Sequence, residues 1–296
     1  MAIETIGVVG CGLMGHGIVQ VAAQGGYAVI AVETDARALE AGMQRIEKSL
    51  ATLERKSVEK GTDPDTAHKK TGETRARIRP SLEPASLSEC DLVIEAIVED
   101  LAIKKELFAL LGQTCGKNAI LATNTSSFPV TDLARASGRP GRTLGLHFFN
   151  PVQIMKLVEV VQTGETAPGL VDELRTFART CGKTPITCKD TPGFVVNRLL
   201  VPFLAQALLL LERGDASQED IDTAMQLGCG HPMGPITLAD YVGLDTSLAI
   251  LEGWVTRFPD EPDFRVPEIL RRKVSDGHLG RKTGQGFYPW DGDKKA

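Results

Sequence analysis

The chain has 296 residues, 42% hydrophobic and 24% charged, with 33 basic against 38 acidic side chains and a formal charge of −5. That profile excludes a disordered, collagenous or membrane-embedded chain. A mild negative charge without a basic run leaves no footprint for nucleic acid or an anionic bilayer, and the length suggests two domains of about 100–200 residues each.

Taken from the N-terminus, residues 5–9 read as a strand, 15–24 as a helix and 28–32 as a second strand. A strand this early leaves no room for a signal or transit peptide. Between the first two elements, Gly10-Cys11-Gly12-Leu13-Met14-Gly15 matches GxGxxG in the strand–turn–helix setting that fingerprint requires. Gly10 permits the turn, Gly12 lets backbone approach a pyrophosphate, and Gly15 lets the helix pack on the strand. The helix N-terminus offers its unpaired N–H groups to the phosphates. Glu33 ends the second strand 18 residues beyond Gly15, where a carboxylate accepts from adenosine ribose hydroxyls. Its charge repels a 2′-phosphate and the nearest following cation is Arg37, so NAD is expected rather than NADP. Asp35 is the rival ribose ligand but reads better as the cap of the next helix.

That helix carries Leu39, Met43, Ile46, Leu50 and Leu53 in steps of four and three. Residues 55–81, rich in charge and small polar side chains, read as a solvated helical hairpin or excursion. Further strands are expected at 92–96, 119–123, 144–148, 157–161 and 185–188, many separated by helical patterns. Unbroken apolar strands alternating with helices indicate a parallel sheet covered on both faces. In such sheets ligands bind outside the carboxyl ends of the strands. Asn124-Thr125-Ser126-Ser127 follows one such end: Ser126 could hold a substrate oxygen or merely cap a helix near Pro129, for which Ser127 is the better cap. His147 ends the next strand, and imidazole is the side chain suited to act as base near neutrality. Glu159 stands within Leu157-Val158-Glu159-Val160-Val161, where a buried carboxylate needs a partner. If the chain reverses at Asn150-Pro151, His147 and Glu159 lie side by side and the carboxylate orients the ring; the alternative is a strand residue facing solvent.

After about Asp190 the character changes. Thr191-Pro192-Gly193 breaks the chain, and 194–213 runs as an apolar helix interrupted by Pro202. Its longest apolar stretch, 199–211, is 13 residues and contains Gln206, short of the roughly 18 a membrane span needs. Asn197 is a polar amide on this helix that needs a partner, a substrate carbonyl or a neighbouring helix. Ser217 and Asp220 resemble a capping box for a helix to 227, and further helices fit 236–257 and 267–276. The reading is a Rossmann-type α/β domain over 1–189 and a smaller all-helical domain over 190–296. The apolar first helix of the second domain points to a subunit interface, hence a homodimer. Cysteines 11, 90, 115, 181, 188 and 229 show neither CxxC nor metal-ligand spacing, so no metal and a reducing compartment are expected: the cytoplasm, or the mitochondrial matrix for a processed chain.

GCGLMGHGI (10–18), DLVIEAIVED (91–100), ATNTSS (122–127), HFFNPVQIMKLVEV (147–160), TPGFVVNRLL (191–200), HPMGPITLADYVGLD (231–245) and GRKTGQGFY (280–288) occur in order. By these the chain resembles the short-chain L-3-hydroxyacyl-CoA dehydrogenases, including bacterial 3-hydroxybutyryl-CoA dehydrogenases, over essentially its whole length. The resemblance implies oxidation of the C3 hydroxyl of an acyl-CoA with NAD as hydride acceptor, within fatty acid β-oxidation. It implies His147 as general base, Glu159 as its orienting carboxylate, and Ser126 and Asn197 as contacts of the reacting oxygen. It gives Gly10, Gly12, Leu13, Met14, Gly15, Glu33, Glu99, Lys104 and Asn124 to the cofactor, and Ser49 and Lys56 to coenzyme A. His16 stands where small residues are usual and is expected to face solvent. Gln153 stands where Pro or Ala is common, which bears on acyl-chain preference if that loop lines the pocket. Two rivals are a sugar-acid dehydrogenase of the gulonate type, disfavoured by the intact HFFNP and the Ser49/Lys56 pair, and a non-catalytic dinucleotide-binding protein.

Overall fold

The computed structural model describes residues 3–296, which separate into two compact units, one running to Phe194 and one spanning Val195–Ala296. In the first unit the elements follow as β1 (Thr5–Val9), α1 (Gly15–Gln24), β2 (Ala28–Val32), α2 (Ala36–Glu59), α3 (Pro64–Ala76), β3 (Ile78–Ser81), β4 (Leu92–Glu95), α4 (Leu101–Thr114), β5 (Ile120–Thr123), α5 (Val130–Ala136), β6 (Thr143–Phe148), β7 (Leu157–Gln162), α6 (Leu170–Thr180) and β8 (Thr184–Lys189). The eight strands form one sheet in the order β3-β2-β1-β4-β5-β6-β7-β8. Successive residues feed opposite layers: Leu92 and Ile94 enter the core cluster beneath α1, while Val93 enters the one beneath α4. Both faces are therefore dry, which is why the strands read as continuous apolar runs.

The sheet is parallel up to β6, where β7 pairs antiparallel and places His147 opposite Glu159. The reversal anticipated at Asn150-Pro151 is present: eight residues, 149–156, link the two strands, with Asn150–Pro151 cis, and too short a link for a crossover forces an antiparallel neighbour. The helical hairpin of α2 and α3 is present, but its tail forms β3, an edge strand pairing Val29 with Ile78 and Val32 with Ser81. Pro80 sits within it, as edge strands tolerate.

In the second unit α7 (Val196–Glu212), α8 (Gln218–Cys229), α9 (Pro235–Val242), α10 (Leu244–Arg257) and α11 (Glu268–Ser275) pack around Leu204, Leu208, Ile236, Leu251 and Trp254. The single helix expected over 236–257 is two, because Gly243 adopts φ 108° between α9 and α10, a conformation glycine alone takes without strain. A two-stranded hairpin, β9 (Trp290–Asp291) with β10 (Lys294–Lys295), corrects the all-helical expectation. Two buried carboxylates hold the tail before it. Asp240 accepts from the Phe287 and Tyr288 amides, both at 2.9 Å, and from Trp290 Nε1 at 3.0 Å. Asp222 accepts from the Ile236 amide at 2.7 Å and the Tyr288 hydroxyl at 3.0 Å.

Candidate active site

Strand order reverses between β1 and β4, so the crevice outside their carboxyl ends is where this topology places a ligand. The glycine loop lies there. A Cβ on Gly15 would come within 1.6 Å of the Gly10 carbonyl oxygen, and one on Gly10, at φ 95°, within 2.6 Å of the Ala96 carbonyl oxygen. A Cβ on Gly12 would meet nothing within 4 Å. The first two glycines serve the packing of the loop, and the third keeps a cradle open, which fits a dinucleotide pyrophosphate. Leu13 is exposed beside it, Met14 half-buried at the start of α1.

At the end of β2, Glu33 accepts from the Cys11 amide at 2.7 Å, which ties the carboxylate to the glycine loop and leaves it lone pairs for ribose hydroxyls. Asp35 caps α2 through the Ala38 amide at 2.8 Å. The residues present therefore fit NAD. His16 is half-buried, its Nδ1 2.7 Å from the Gly12 carbonyl oxygen, one helical turn back.

At the far end of β6, His147 Nδ1 lies 2.6 Å from Glu159 Oε2, with the side chains 7% and 0% exposed. The solvent-facing alternative for Glu159 is excluded. An ionised carboxylate only accepts, so Nδ1 carries the proton and Nε2 is the nitrogen left to exchange one. The rings of Phe149 and Phe194 stand 4.5 and 5.6 Å from the imidazole by centroid. Asn124 joins the neighbouring strand end, its Oδ1 accepting from the Phe148 amide at 2.8 Å.

Between these two places lies a network of which the sequence showed only part. Glu95, fully buried at the end of β4, accepts from Lys104 Nζ at 2.5 Å, the Ile97 amide at 2.8 Å and the Thr123 hydroxyl at 2.7 Å. Lys104, 1% exposed, also meets Glu99 Oε2 at 3.1 Å. Its ammonium is thus enclosed by carboxylates. Glu99 Oε1 in turn accepts from the Thr125 hydroxyl at 2.6 Å, the Ser126 amide at 3.1 Å and the Ser127 hydroxyl at 2.9 Å. Burial pushes the Glu99 carboxyl up, but the Lys104 charge and these hydrogen bonds outweigh it and hold it below the usual glutamate range. Ser127 is therefore not a helix cap. The cap of α5 comes from Asp190, which accepts from the Val130 amide at 3.0 Å and the Thr131 amide at 2.7 Å. Among the described residues the flanking hydroxyls of Thr125 and Ser127 are consumed by Glu99, whereas Ser126 gives Glu99 only its amide.

The reversal after His147 is anchored by Lys183, a buried lysine that donates to the carbonyls of Val152 and Met155. Burial lowers its pKa, with Lys156 adding to the effect. Gln153 turns its amide to Gln20 of α1 at 3.3 Å. Ser49 and Lys56 lie on α2, half-buried and exposed respectively. Asn197 stands on the first turn of α7 in the second unit. Glu95, Thr123 and Lys183 were missed by sequence reasoning, although Glu95 ends an apolar run and carries the same signal that marked Glu159.

Known proteins match both units. The family model described as 3-hydroxyacyl-CoA dehydrogenase, NAD binding domain, covers residues 5–191, and that for the C-terminal domain covers 193–290. The mitochondrial hydroxyacyl-coenzyme A dehydrogenase of Rattus norvegicus is 47% identical over 97% of this chain and 91% of its own length. A probable 3-hydroxybutyryl-CoA dehydrogenase of Deinococcus radiodurans is 46% identical over 96% of this chain and 99% of its own. The crystal structure of (S)-3-hydroxybutyryl-CoA dehydrogenase from Ralstonia eutropha superposes with a TM-score of 0.92 at 40% identity, covering 98% of this chain and 100% of that one.

Proposed function

We propose, because this chain belongs to the 3-hydroxyacyl-CoA dehydrogenase family, that His147 is the proton-transfer residue of its NAD-dependent oxidation of short-chain 3-hydroxyacyl-CoA. In that reaction a C3 hydroxyl becomes a ketone, and bound NAD supplies the acceptor of the hydride.

The chain's own residues then have derivable tasks. With Nδ1–H held by Glu159, Nε2 takes the hydroxyl proton, and in the reverse direction the imidazolium returns it. Glu159 fixes the tautomer and faces the positive charge the ring acquires. Phe149 and Phe194 shield the ring from water. The Ser126 hydroxyl, unspent among the described residues, donates to the substrate oxygen as negative charge grows there. Asn197 is assigned the second donor to that oxygen, and Ser49 and Lys56 the coenzyme A portion, on family resemblance. The chain is further read as a homodimer through the helical unit, supported by Leu199 at 69% and Leu227 at 84% exposure, and as resident in a reducing compartment, supported by six free cysteines. Among the described residues no helix is long and apolar enough to cross a membrane.

The observation that carries this reading is the 2.6 Å contact between His147 and Glu159. The test is acetoacetyl-CoA-dependent oxidation of NADH, with NADPH and free acetoacetate in parallel. Turnover with NADH and acetoacetyl-CoA alone is expected. NADH binding without turnover would overturn the acyl-CoA reading in favour of a sugar acid or a non-catalytic role.

A further inference from the structure

Thr123 Oγ1 donates to Glu95 Oε2 at 2.7 Å and accepts from the Thr125 amide at 3.1 Å. Thr125 Oγ1 donates to Glu99, Glu99 meets Lys104, and Lys104 returns to Glu95. The contacts close a ring, Glu95–Thr123–Thr125–Glu99–Lys104, beneath the turn that carries Ser126. Four of the five side chains are essentially out of solvent; Glu99 alone is partly exposed. A buried ammonium persists only where opposite charge and hydrogen bonds compensate its lost hydration, so this ring is a built feature. We propose that Glu95 and Thr123 are positioning residues for the dehydrogenase reaction, acting through this ring to fix the turn so that the Ser126 hydroxyl alone is left for the substrate oxygen.

Hydrogen-bond valence fixes the order of the ring. Glu95 has two oxygens, and both only accept: one from Lys104 and Ile97, the other from Thr123. With its single proton committed to Glu95, the Thr123 hydroxyl is free to accept from the Thr125 amide. That fixes the backbone of Thr125, and the fixed Thr125 hydroxyl reaches Glu99 rather than a ligand. A Glu95→Gln amide turns one acceptor into a donor, so it must fail either the Lys104 ammonium or the hydroxyl proton of Thr123, which would have to turn away and let the hydroxyl accept instead. If it fails Thr123, the link to Thr125 loosens; if it fails Lys104, Glu99 loses its alignment. Either failure reaches Ser126 through its amide or through its neighbour, without touching His147 or Glu159.

The proposal rests on the reading of Ser126 as an oxygen contact, and a double-mutant cycle separates the two. Steady-state kinetics with acetoacetyl-CoA and NADH would be measured for Glu95→Gln, Ser126→Ala and the double variant, with thermal unfolding of each. Glu95→Gln is expected to lower kcat about tenfold with KM for acetoacetyl-CoA within about twofold, and to change kcat less than about twofold once Ser126 is Ala. Equal losses in both backgrounds, with Ser126→Ala itself impaired, would overturn the proposal alone. Ser126→Ala at parental kcat would overturn the reading of Ser126 and the proposal with it. Thr123→Val keeps the shape and strand propensity while deleting the linking hydroxyl; it carries the same cycle if Glu95→Gln does not fold, and parental kcat in that variant overturns the proposal.

Discussion

At the scale of single residues, each site group is identified by what it has left after its neighbours are satisfied. His147 spends Nδ1 on Glu159 and retains Nε2. His147→Gln should therefore bind NADH as the parent does while losing about 10²–10⁴ in kcat, measured by cofactor fluorescence and turnover on one preparation. Glu99 makes a second, pH-dependent statement. Its carboxyl is held below the usual glutamate range, so the folded form binds its proton less readily than the unfolded form. The stability it contributes is present above the ordinary value and is lost as pH falls through the lowered one. The melting temperature of Glu99→Gln should thus approach that of the parent as pH falls below about 4, the ordinary glutamate range, in a series of thermal melts. His147 and Glu159 were legible because a carboxylate in an apolar run has few explanations. The carboxylates that enclose Lys104 were not legible, because a lysine on a helix does not say which neighbours surround it.

Among the elements, the glycine loop separates two requirements that one motif combines. Gly15→Ala drives a Cβ into the Gly10 carbonyl, whereas Gly12→Ala meets open space. Gly15→Ala should lower stability by roughly 1–3 kcal/mol, as overpacking does. Gly12→Ala should leave unfolding nearly unchanged and weaken NADH binding; calorimetry and denaturant melts on both variants check the contrast. The motif, β1, α1, β2 and the strands around His147 could be read because apolar period and turn glycines agreed there. β3 could not: Ile78-Arg79-Pro80-Ser81 has one large apolar residue, and its membership depends on the edge that β2 offers. The α9–α10 break was hidden because a glycine inside a helical pattern lowers helix propensity without saying whether the chain bends. The cap of α5 lies 60 residues away at Asp190, beyond any local signal.

For the whole molecule, the cysteines give a surface test of the fold. Burial pushes the Cys11 thiol up to about 12, with the Glu33 charge adding to it, and the Cys90 and Cys181 thiols to about 12 as well. The thiolate is the nucleophile, so native protein alkylated at pH 8 should be labelled at exposed Cys229 and spared at those three until denatured, as peptide mass mapping would show. The dimer reading has its own measurement: light scattering should give twice the chain mass, and Leu227→Glu, which charges the most exposed large apolar side chain among the described residues, should shift it toward one chain.

The antiparallel pairing of β6 and β7 has a further bearing on how errors in this protein would show themselves. In the native register His147 faces Glu159. A slip of one residue would set it against Val158 or Val160 and turn the carboxylate to the opposite face of the sheet, where a lone charge in a dry layer is costly. A chain that misaligns the His147–Glu159 pair, the proposed proton-transfer pair, therefore also forfeits its core. Quality control that removes unstable chains would remove this class of inactive ones as well, so that proofreading of the fold doubles as proofreading of the chemistry.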